Sequence, residues 1–400
     1  MTGPLPDPTT RRPLVDLSDE EARRALPLKW GTVEPDVLPA WVAEMDYALD
    51  PVVRDAVLRA VRDGITGYPV YPADPALGEA LAGFARRHHG AEVAPEWVVP
   101  VVDVTAGVRL VLDVLCDPAP VVFFVPGYSP QLEIAGLTGR RRVDLVLPPD
   151  AGRAEVDLDA LDALFAAGAR TLLLTQPHNP WGRVFSRAEL EGIRDVVVRH
   201  EARVVSDEIH APLVLPGAHH TSYLQMEGTH GHAVALVAAS KAFNTAGLKC
   251  AQLLVPSPAD RAALAAAPMP RNDSWSPLGV VAAVAAYDEG DPWLASLLER
   301  LDELRGLLAE LLATRLPEVR MRPLEATYLA WLDARAYGHD DPAAVALERG
   351  RVKLGPGHDY APGLTGHVRL NLATSPERLT RIVDRLATAW TSPPETGSSA

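Results

Sequence analysis

The chain has 400 residues, of which 48% are hydrophobic and 22% are charged, and it carries a formal net charge of −14 at pH 7. This length exceeds what one compact core usually holds, so we expect two domains. The acidity argues against nucleic acid or an anionic membrane as a partner, because both would repel the protein.

The ends of the chain contain few residues that could be buried. Residues 1–15 and 391–400 are rich in Pro, Ser, Gly and Thr, and we expect both segments to be disordered. The N-terminus lacks the apolar stretch of a signal peptide, and the apolar runs elsewhere are too short to cross a bilayer. The two cysteines, Cys116 and Cys250, fall in apolar surroundings without metal or redox spacing, which is typical of a cytoplasmic protein.

Short apolar runs alternate with amphipathic segments through the middle of the chain. Runs of four or five residues, rich in Val or Leu, predict buried strands at 121–125, 143–147, 171–175, 203–206, 234–238 and 252–255. Helical patterns separate these strands, and in one of them Ser186 is the predicted N-cap with Glu189 as its capping-box partner. Strands that alternate with helices predict an α/β fold, with a mostly parallel sheet covered by helices on both faces.

The pattern changes after residue 290. Asp291 and Pro292 are predicted to begin a long helix, in which leucines spaced three and four residues apart form one apolar stripe and which Pro317 ends. Strand-like segments follow at 328–332 and 368–372.

These elements predict two domains of different size. The large domain would hold the mostly parallel sheet, and the long helix would join it to a smaller α+β domain. The expected boundaries are 1–48 for an N-terminal segment that belongs with the small domain, 49–290 for the large domain, 291–390 for the small domain and 391–400 for the disordered tail.

Four segments carry polar residues suited to chemistry. Three of them, 178–183, 206–210 and 240–249, lie at the carboxyl ends of predicted parallel strands. The fourth, 369–373, lies in the small domain. Ligands of open α/β sheets usually bind at the carboxyl ends of the strands, so we expect the first three segments to contribute to one site.

In these segments the sequence resembles the fold-type I pyridoxal 5′-phosphate (PLP) enzymes, and more narrowly the MalY/PatB-type carbon–sulfur lyases. The resemblance extends from about residue 30 to residue 379. The narrower match rests on LPAWVAEMDY (38–47), GY (67–68), DEIH (207–210), SKAFN (240–244) and TYLAWLD (327–333). It implies PLP fold type I, with a seven-stranded type of sheet in the large domain, and a homodimer with shared active sites.

The resemblance gives a role to three residues of the chemistry. Lys241 would hold PLP as a Schiff base and, once released, would take the Cα proton of the substrate. Asp207 would pair with the pyridinium nitrogen and keep it protonated. Arg369 would bind the substrate α-carboxylate through its planar guanidinium.

Further residues would surround the cofactor. Asn179 and His210 resemble the groups near its 3-oxygen, although a lone histidine is also common as a structural residue. Tyr128 matches the aromatic residue that stacks on the ring, with a core tyrosine at a strand end as the alternative. Ser240 would add a hydroxyl to the phosphate site. Tyr68 resembles the tyrosine that reaches the phosphate of the neighbouring subunit, which makes the dimer the expected active unit.

The phosphate-binding turn departs from the family pattern. It would fall on Asp103, Val104 and Thr105, with the aspartate in place of a glycine, or in an alternative register on 105–107. In both registers Thr105 would supply a hydroxyl. Lys249 takes the place of an arginine and offers a point charge instead of a fork. We therefore expect PLP to bind through a weakened phosphate site.

Three histidine groups suggest a metal site. They are His88-His89, His219-His220 and His230-Gly231-His232. None of them has an acidic or Cys partner at ligand spacing, so we predict solvated loop histidines and no metal.

The resemblance implies α,β-elimination on cystathionine or another cysteine S-conjugate, giving a thiol, pyruvate and ammonia. Departures at the site edge, such as Gln176 and Ala326, suggest a bulky conjugate in a specialised biosynthetic pathway. Transamination stays open, because it needs the same lysine, aspartate and arginine. The altered phosphate turn and site edge also keep decarboxylating or oxidative deamination open. A regulator-binding protein on the same fold is the alternative of another class, and the intact catalytic residues argue against it.

Overall fold

The computed structural model describes residues 11–71, 74–148 and 155–391. The chain divides into two units. The large unit comprises residues up to 14, 49–299 and 325–327, and the small unit comprises 15–48, 300–324 and 328 onward. The division falls at residue 299, inside the long helix, whereas we expected it at 290, and residues 11–14 belong to the large unit.

The predicted disordered ends lie mostly outside the described residues, which begin at 11 and end at 391. Arg12 is ordered: its backbone N donates to Pro292 O at 3.2 Å and its guanidinium lies 2.5 Å from Asp50 Oδ1. Thr391, the first residue of the predicted tail, ends the last helix. The expectation of disorder is therefore wrong for these residues, because Arg12 finds a buried carboxylate and Thr391 continues a helix.

Helices and strands alternate along the described chain. The α-helices are α1 (Asp19–Ala25), α2 (Pro51–Arg62), α3 (Pro75–His89), α4 (Val104–Leu115), α5 (Ser129–Leu132), α6 (Ile134–Leu137), α7 (Leu158–Ala166), α8 (Arg187–Arg199), α9 (Pro258–Ala266), α10 (Pro277–Glu289), α11 (Asp291–Arg315), α12 (Pro342–Gly350) and α13 (Pro376–Thr391). The strands are β1 (Leu38–Pro39), β2 (Val98–Val101), β3 (Val121–Val125), β4 (Arg142–Val146), β5 (Thr171–Thr175), β6 (Arg203–Asp207), β7 (Ala233–Val237), β8 (Ala251–Leu254), β9 (Arg320–Met321), β10 (Leu329–Asp333), β11 (Val352–Lys353), β12 (Gly355–Pro356) and β13 (His367–Asn371).

A seven-stranded sheet in the order β2-β8-β7-β6-β5-β3-β4 forms the core of the large unit. Its pairings are parallel except for the two made by β8, which runs antiparallel to both β2 and β7. Every residue of β3 and β5 is buried, as expected for strands that helices cover on both faces. The predicted α/β class with a mostly parallel, seven-stranded sheet is thus confirmed.

Local sequence signals explain where two of the helices begin. Ser186 caps α8, and Ser186 and Glu189 form the predicted capping box. α11 begins at Asp291 and ends at Arg315, just before the predicted stop at Pro317. The leucines of its predicted stripe, at 294, 297, 301, 304, 308 and 311, are all buried.

The small unit contains a four-stranded antiparallel sheet in the order β12-β13-β10-β9 and a parallel pair of β1 with β11. The buried face of α13 covers part of its core with Leu379, Ile382, Leu386 and Trp390. The N-terminal segment 15–48 belongs to this unit, since β1 pairs with β11. Among the described residues of the whole chain, none of the helices is both long and apolar enough to cross a membrane.

Candidate active site

Four adjacent strands of the large sheet end at one edge and lead into predicted site residues. The parallel strands β7, β6, β5 and β3 lie side by side in this order. Asp207 ends β6, and Lys241, Asn179 and Tyr128 follow shortly after β7, β5 and β3. The fold therefore brings these four side chains to the carboxyl edge of the sheet, where ligands of such sheets bind.

Asp207 is a buried carboxylate held by amide donors. Its Oδ1 accepts from Ile209 N at 3.1 Å, and its Oδ2 accepts from Gln131 Nε2 at 2.5 Å. Burial raises the pKa of Asp207 to about 6, and the Glu208 carboxylate adds to this rise, whereas the two amides and the charge of Lys241 oppose it. Above this pH Asp207 is a buried negative charge that a nearby cation would stabilise.

Lys241 lies in the turn that follows β7, directly after Ser240. Phe243 N donates to Ala239 O at 2.9 Å and Thr245 N donates to Ser240 O at 3.1 Å, so backbone hydrogen bonds close the turn around the lysine. Both Ser240 and Lys241 are half-buried. The turn thus holds the lysine at the sheet edge while leaving it reachable.

The other predicted ring-binding residues lie on loops of the same edge. Asn179 and His210 are buried, and Tyr128 is half-buried directly before α5. The glycine that precedes Tyr128 is required for this turn, because a Cβ on Gly127 would lie 2.5 Å from Phe124 O. The chain can therefore leave β3 sharply enough to present Tyr128 and α5 to the edge.

The predicted phosphate turn reaches the same edge through β2 and α4. Because β8 is antiparallel to both β2 and β7, β2 ends where β7 ends. Asp103 is the N-cap of α4: its Oδ1 accepts from Ala106 N at 2.8 Å, and its Oδ2 accepts from Lys249 Nζ at 3.0 Å. Val104 and Thr105 begin the helix. The carboxylate that departs from the family pattern is therefore occupied by the helix and by the predicted phosphate-binding lysine.

The two registers of this turn have different structural positions. The residues from Asp103 to Thr105 form the N-terminus of α4, where free amides can bind an anion. Gly107 lies inside the helix and faces the sheet, where a Cβ would lie 2.3 Å from Leu236 Cδ2. The glycine of the alternative register thus serves helix–sheet packing, and the first register supplies the helix N-terminus.

Glu208, a second buried carboxylate beside Asp207, had no separate role in the sequence analysis. Its oxygens hydrogen-bond with Ser206 Oγ (2.8 Å), Tyr223 N (2.9 Å), Gln176 Nε2 (3.3 Å) and His220 Nε2 (3.3 Å). Burial alone would raise the pKa of Glu208, but these partners, His220 first, lower it. Glu208 is therefore a fixed negative charge next to Asp207.

The prediction of solvated loop histidines is wrong for His220, which is buried, and for His88 and His89, which lie on α3. His220 is buried against Glu208, and His88 lies near the end of α3 with its Nε2 2.7 Å from Asp291 Oδ1. His220 and His88 each pair with a carboxylate that is distant in sequence, so their spacing in the sequence could not reveal the partner. Across the described parts of the chain there is no group of side chains suited to a metal ion.

Arg369 lies in the small unit on β13, between β10 and β12. It is buried, its Nη2 donates to Trp41 O at 2.7 Å, and its guanidinium carbon lies 4.9 Å from the centre of the Tyr360 ring. Asn371 on the same strand donates to Val42 O at 2.7 Å. The LPAWVAEMDY segment is thus fastened to β13, and it orients the guanidinium of Arg369.

Tyr68 differs from the other predicted site residues because its side chain is 100% exposed. Val70 and Tyr71, close to it in sequence, are exposed as well. None of the described residues of its large unit covers the Tyr68 ring, so they do not hold it at the edge that carries Lys241.

The side chains at the sheet edge fit the parts of PLP. Lys241 would reach the aldehyde, and Lys249, the Thr105 hydroxyl and the first amides of α4 would hold the phosphate. The observation that decides the fit is Asp207, since a buried carboxylate with a raised pKa is stabilised by a protonated ring nitrogen. The residues present therefore suit this cofactor.

Several known proteins are similar to this chain over most of its length. The family model of class I and II aminotransferases matches residues 40–386. A Mycobacterium tuberculosis protein, provisionally named a cystathionine β-lyase, is 41% identical over 94% of this chain and 97% of its own. The cystathionine β-lyase PatB of Bacillus subtilis is 33% identical over 87% of this chain and 92% of its own.

A solved structure resembles the whole chain. It is a Corynebacterium diphtheriae protein, provisionally named a PLP-dependent β-cystathionase, with a TM-score of 0.90, 33% identity and coverage of 95% of this chain and 99% of its own. The resemblance found in the sequence is thus confirmed, and PLP is the cofactor of this group. The chain belongs to the class I and II aminotransferase family and, within it, to the PLP-dependent carbon–sulfur lyases of the MalY/PatB type.

Proposed function

We propose that the enzyme cleaves L-cystathionine or another cysteine S-conjugate by α,β-elimination, consuming one water and releasing a thiol, pyruvate and ammonia. The observation that carries the proposal is the buried Asp207 carboxylate close to Lys241 at the carboxyl edge of the sheet. A negative charge at this position, which would keep the ring nitrogen of PLP protonated, supports chemistry in which the substrate Cα–H bond is broken first.

Bound PLP supplies an electron sink for the electron pair of that bond. Lys241 Nζ is the base that we assign to the Cα proton, because a freed amine at the sheet edge can accept it. Asp207 holds a proton on the ring nitrogen, since its carboxylate is buried and favours a neighbouring cation. Asn179 and His210 would orient the ring from the loops after β5 and β6.

Arg369 is the residue that we propose for the substrate α-carboxylate. Its guanidinium donates to Trp41 O, which fixes its orientation, and a planar guanidinium matches the geometry of a carboxylate. The Tyr360 ring against its face restricts its rotation. This positioning supports binding that fixes which substituent of Cα faces the base.

We further propose that the active unit is a homodimer. A fully exposed tyrosine beside exposed Val70 and Tyr71 is an unusual surface for a monomer. Tyr68 would then complete the phosphate site of the partner, as the resemblance implies. The Tyr68 hydroxyl would add a hydrogen-bond donor to a phosphate turn in which Asp103 pairs with Lys249.

The proposed substrate is a bulky S-conjugate of a specialised pathway rather than cystathionine itself. Departures from the family pattern at the site edge, Gln176 and Ala326, support this narrower proposal. The names of the relatives, cystathionine β-lyases, favour cystathionine instead. A comparison of turnover between cystathionine and the bulky conjugates therefore decides between the two proposals. A cystathionine turnover far above that of every bulky conjugate would refute the narrower proposal.

Product analysis tests the function directly. The PLP-loaded protein is incubated with L-cystathionine and a panel of bulky S-cysteinyl conjugates without a keto acid, and thiol, pyruvate and ammonia are assayed. We expect release of all three products in equal amounts, lost in Lys241→Ala. The matching of an aminotransferase family model favours transamination as the second candidate. Amino transfer on addition of a keto acid, with no thiol released, would establish it instead.

A further inference from the structure

Gln131, a residue without a predicted role, contacts Asp207, the proposed partner of the cofactor ring nitrogen. It lies on α5, shortly after β3, and its side chain is 2% exposed. Its Nε2 donates to Asp207 Oδ2 at 2.5 Å, across 76 residues of sequence. A short, buried bond from a neutral donor to a carboxylate is a strong one, because no water competes for either group.

The orientation of the Gln131 amide is fixed by a second contact. Thr175 Oγ1 donates to Gln131 Oε1 at 3.2 Å. Thr175 and Asp207 are paired across β5 and β6, so their side chains lie on the same face of the sheet. The hydroxyl therefore takes the oxygen of the amide and leaves its nitrogen for the carboxylate.

We propose that Gln131 is a positioning residue that keeps the carboxylate of Asp207 ionised and aimed at the cofactor ring nitrogen. The inference rests on the proposed function only through the binding of PLP. With one oxygen of Asp207 held by Gln131 and the other by Ile209 N, the carboxylate has a single orientation.

The groups around Asp207 explain why the amide of Gln131 matters for its charge. Burial and the neighbouring Glu208 carboxylate favour the neutral acid, while Lys241 and the two amides favour the carboxylate. His220 in turn contacts Glu208, with its Nε2 3.3 Å from Glu208 Oε2. When PLP is bound, its protonated ring nitrogen would favour the same ionised state, and the amide of Gln131 would hold the carboxylate in place for it.

Two substitutions separate charge from shape. Gln131→Leu removes the donor, and Gln131→Glu keeps the shape but places a second carboxylate against Asp207. A residue that only fills space would tolerate glutamate better than leucine. For a residue that keeps Asp207 ionised, we expect the opposite order, because like charges at this distance raise each other's pKa.

The readouts are the dissociation constant of PLP, from titration into the cofactor-free protein, and the pH dependence of the visible absorption of the bound cofactor. We expect the dissociation constant to rise about tenfold in Gln131→Leu, as for loss of one charge-assisted hydrogen bond, and further in Gln131→Glu. The acid limb of PLP binding should move to higher pH in the same order. Gln252→Leu is the matched control. Gln252 is a buried glutamine on β8 that accepts a hydrogen bond from the Tyr287 hydroxyl, and its substitution should leave both readouts unchanged.

The outcomes are distinct. If Gln131→Glu binds PLP as wild type does, or better than Gln131→Leu, the inference is overturned and Gln131 is a packing residue. If the wild-type protein binds no PLP, the inference falls together with the assigned site. If it binds PLP but releases no thiol, only the lyase proposal falls, and the order of the two variants still decides the role of Gln131.

Discussion

Asp46 in the small unit and Asp207 in the large unit are both buried carboxylates, 0% and 4% exposed, but their partners differ. Asp46 lies 2.8 Å from Lys29 Nζ and 3.3 Å from Arg378 Nη1, and it accepts from Trp30 Nε1 at 2.7 Å. The hydrogen bonds to Asp207 come from two neutral amides. One carboxylate is thus neutralised by its own unit, and the other keeps a charge to be neutralised by a ligand.

The different partners of the two carboxylates distinguish a structural ion pair, Lys29–Asp46, from a ligand-binding carboxylate. Lys29 is so deeply buried that its pKa is lowered by desolvation, and the charge of Asp46 opposes that change. The pair fastens the N-terminal segment to α13 through Arg378, and neither charge is available to a ligand. A buried acid surrounded by amides at the edge of a parallel sheet is instead a functional arrangement.

The largest expected effect comes from neutralising the site carboxylate. Asp207→Asn should lower kcat/KM by about 10³-fold, the scale of removing a preorganised charge from an active site. It should also stabilise the cofactor-free protein at neutral pH, because the folded-state pKa of about 6 lies above the ordinary value for aspartate. In wild type this group binds more protons folded than unfolded between about pH 4 and pH 6, so its contribution to stability falls as pH rises through that window.

Kinetics with cystathionine and thermal unfolding of the cofactor-free proteins across this pH window check the prediction. The stabilisation of Asp207→Asn should be largest above pH 6 and should disappear at the acid end. Asp46→Asn is the control, and it should destabilise the protein at neutral pH. An Asp207→Asn protein that is less stable than wild type at neutral pH would contradict the contrast between the two carboxylates.

The next effect concerns the paired carboxylate. Lys29→Met keeps the length of the side chain but leaves part of the charge of Asp46 unbalanced, which should cost about 3–5 kcal/mol of unfolding free energy. Adding Asp46→Asn should recover part of that loss, because the charges of Lys29 and Asp46 are then both gone and Arg378 keeps Asp19 as its partner. Denaturant unfolding of the single and double variants measures both the loss and the recovery of unfolding free energy.

An exposed ion pair provides the control for this experiment. Arg24 and Glu20 lie 2.9 Å apart on α1 with side chains 68% and 82% exposed. Arg24→Met should change the free energy of unfolding by less than about 0.5 kcal/mol. Equal losses in Lys29→Met and Arg24→Met would mean that burial does not set the strength of the Lys29–Asp46 pair.

Six of the seven strands of the large sheet were predicted from the sequence to within one residue, and β2 was not predicted. β3 and β5 have the predicted bounds, and β7 begins one residue earlier than predicted. Short apolar runs between polar residues predict such strands well, because both faces are covered. The antiparallel direction of β8 could not be predicted, since an apolar run carries no information about direction.

The site residues divide in the same way. Lys241 and Asp207 stand in short motifs, so a single sequence was enough to suggest them. Gln131 and Glu208 act through side-chain contacts formed across the sheet, and the Gln131–Asp207 pair spans 76 residues. No local pattern marks such residues, although a glutamine directly before an apolar stretch, just after a predicted site tyrosine, was a weak signal. His220 was misjudged for the same reason, because its partner Glu208 comes from another loop.

The smallest expected effect lies at the phosphate turn, where the carboxylate of Asp103 is neither neutralised inside the protein nor hidden from solvent. Its side chain is 41% exposed and that of Lys249 is 53% exposed, so their pairing is a surface interaction of modest strength. Asp103→Asn should tighten PLP binding about fivefold, because a unit charge near the phosphate is removed while Lys249 is released toward it. Asparagine caps a helix as well as aspartate does, so α4 should keep its start.

Titration of PLP into the cofactor-free variants measures this effect, and the gain over wild type should shrink at about 1 M salt, where exposed charges are screened. Asp157→Asn is the matched control: it also removes the N-cap carboxylate of a helix, α7, whose Oδ1 accepts from Ala160 N at 2.9 Å, but it lies on a different segment from the phosphate turn. Weaker PLP binding in Asp103→Asn would mean that the aspartate holds Lys249 in place for the phosphate. Asp103 would then serve the cofactor, as we propose for Asp207. The carboxylates at the sheet edge would both act toward a ligand, whereas Asp46 in the small unit is neutralised within the protein.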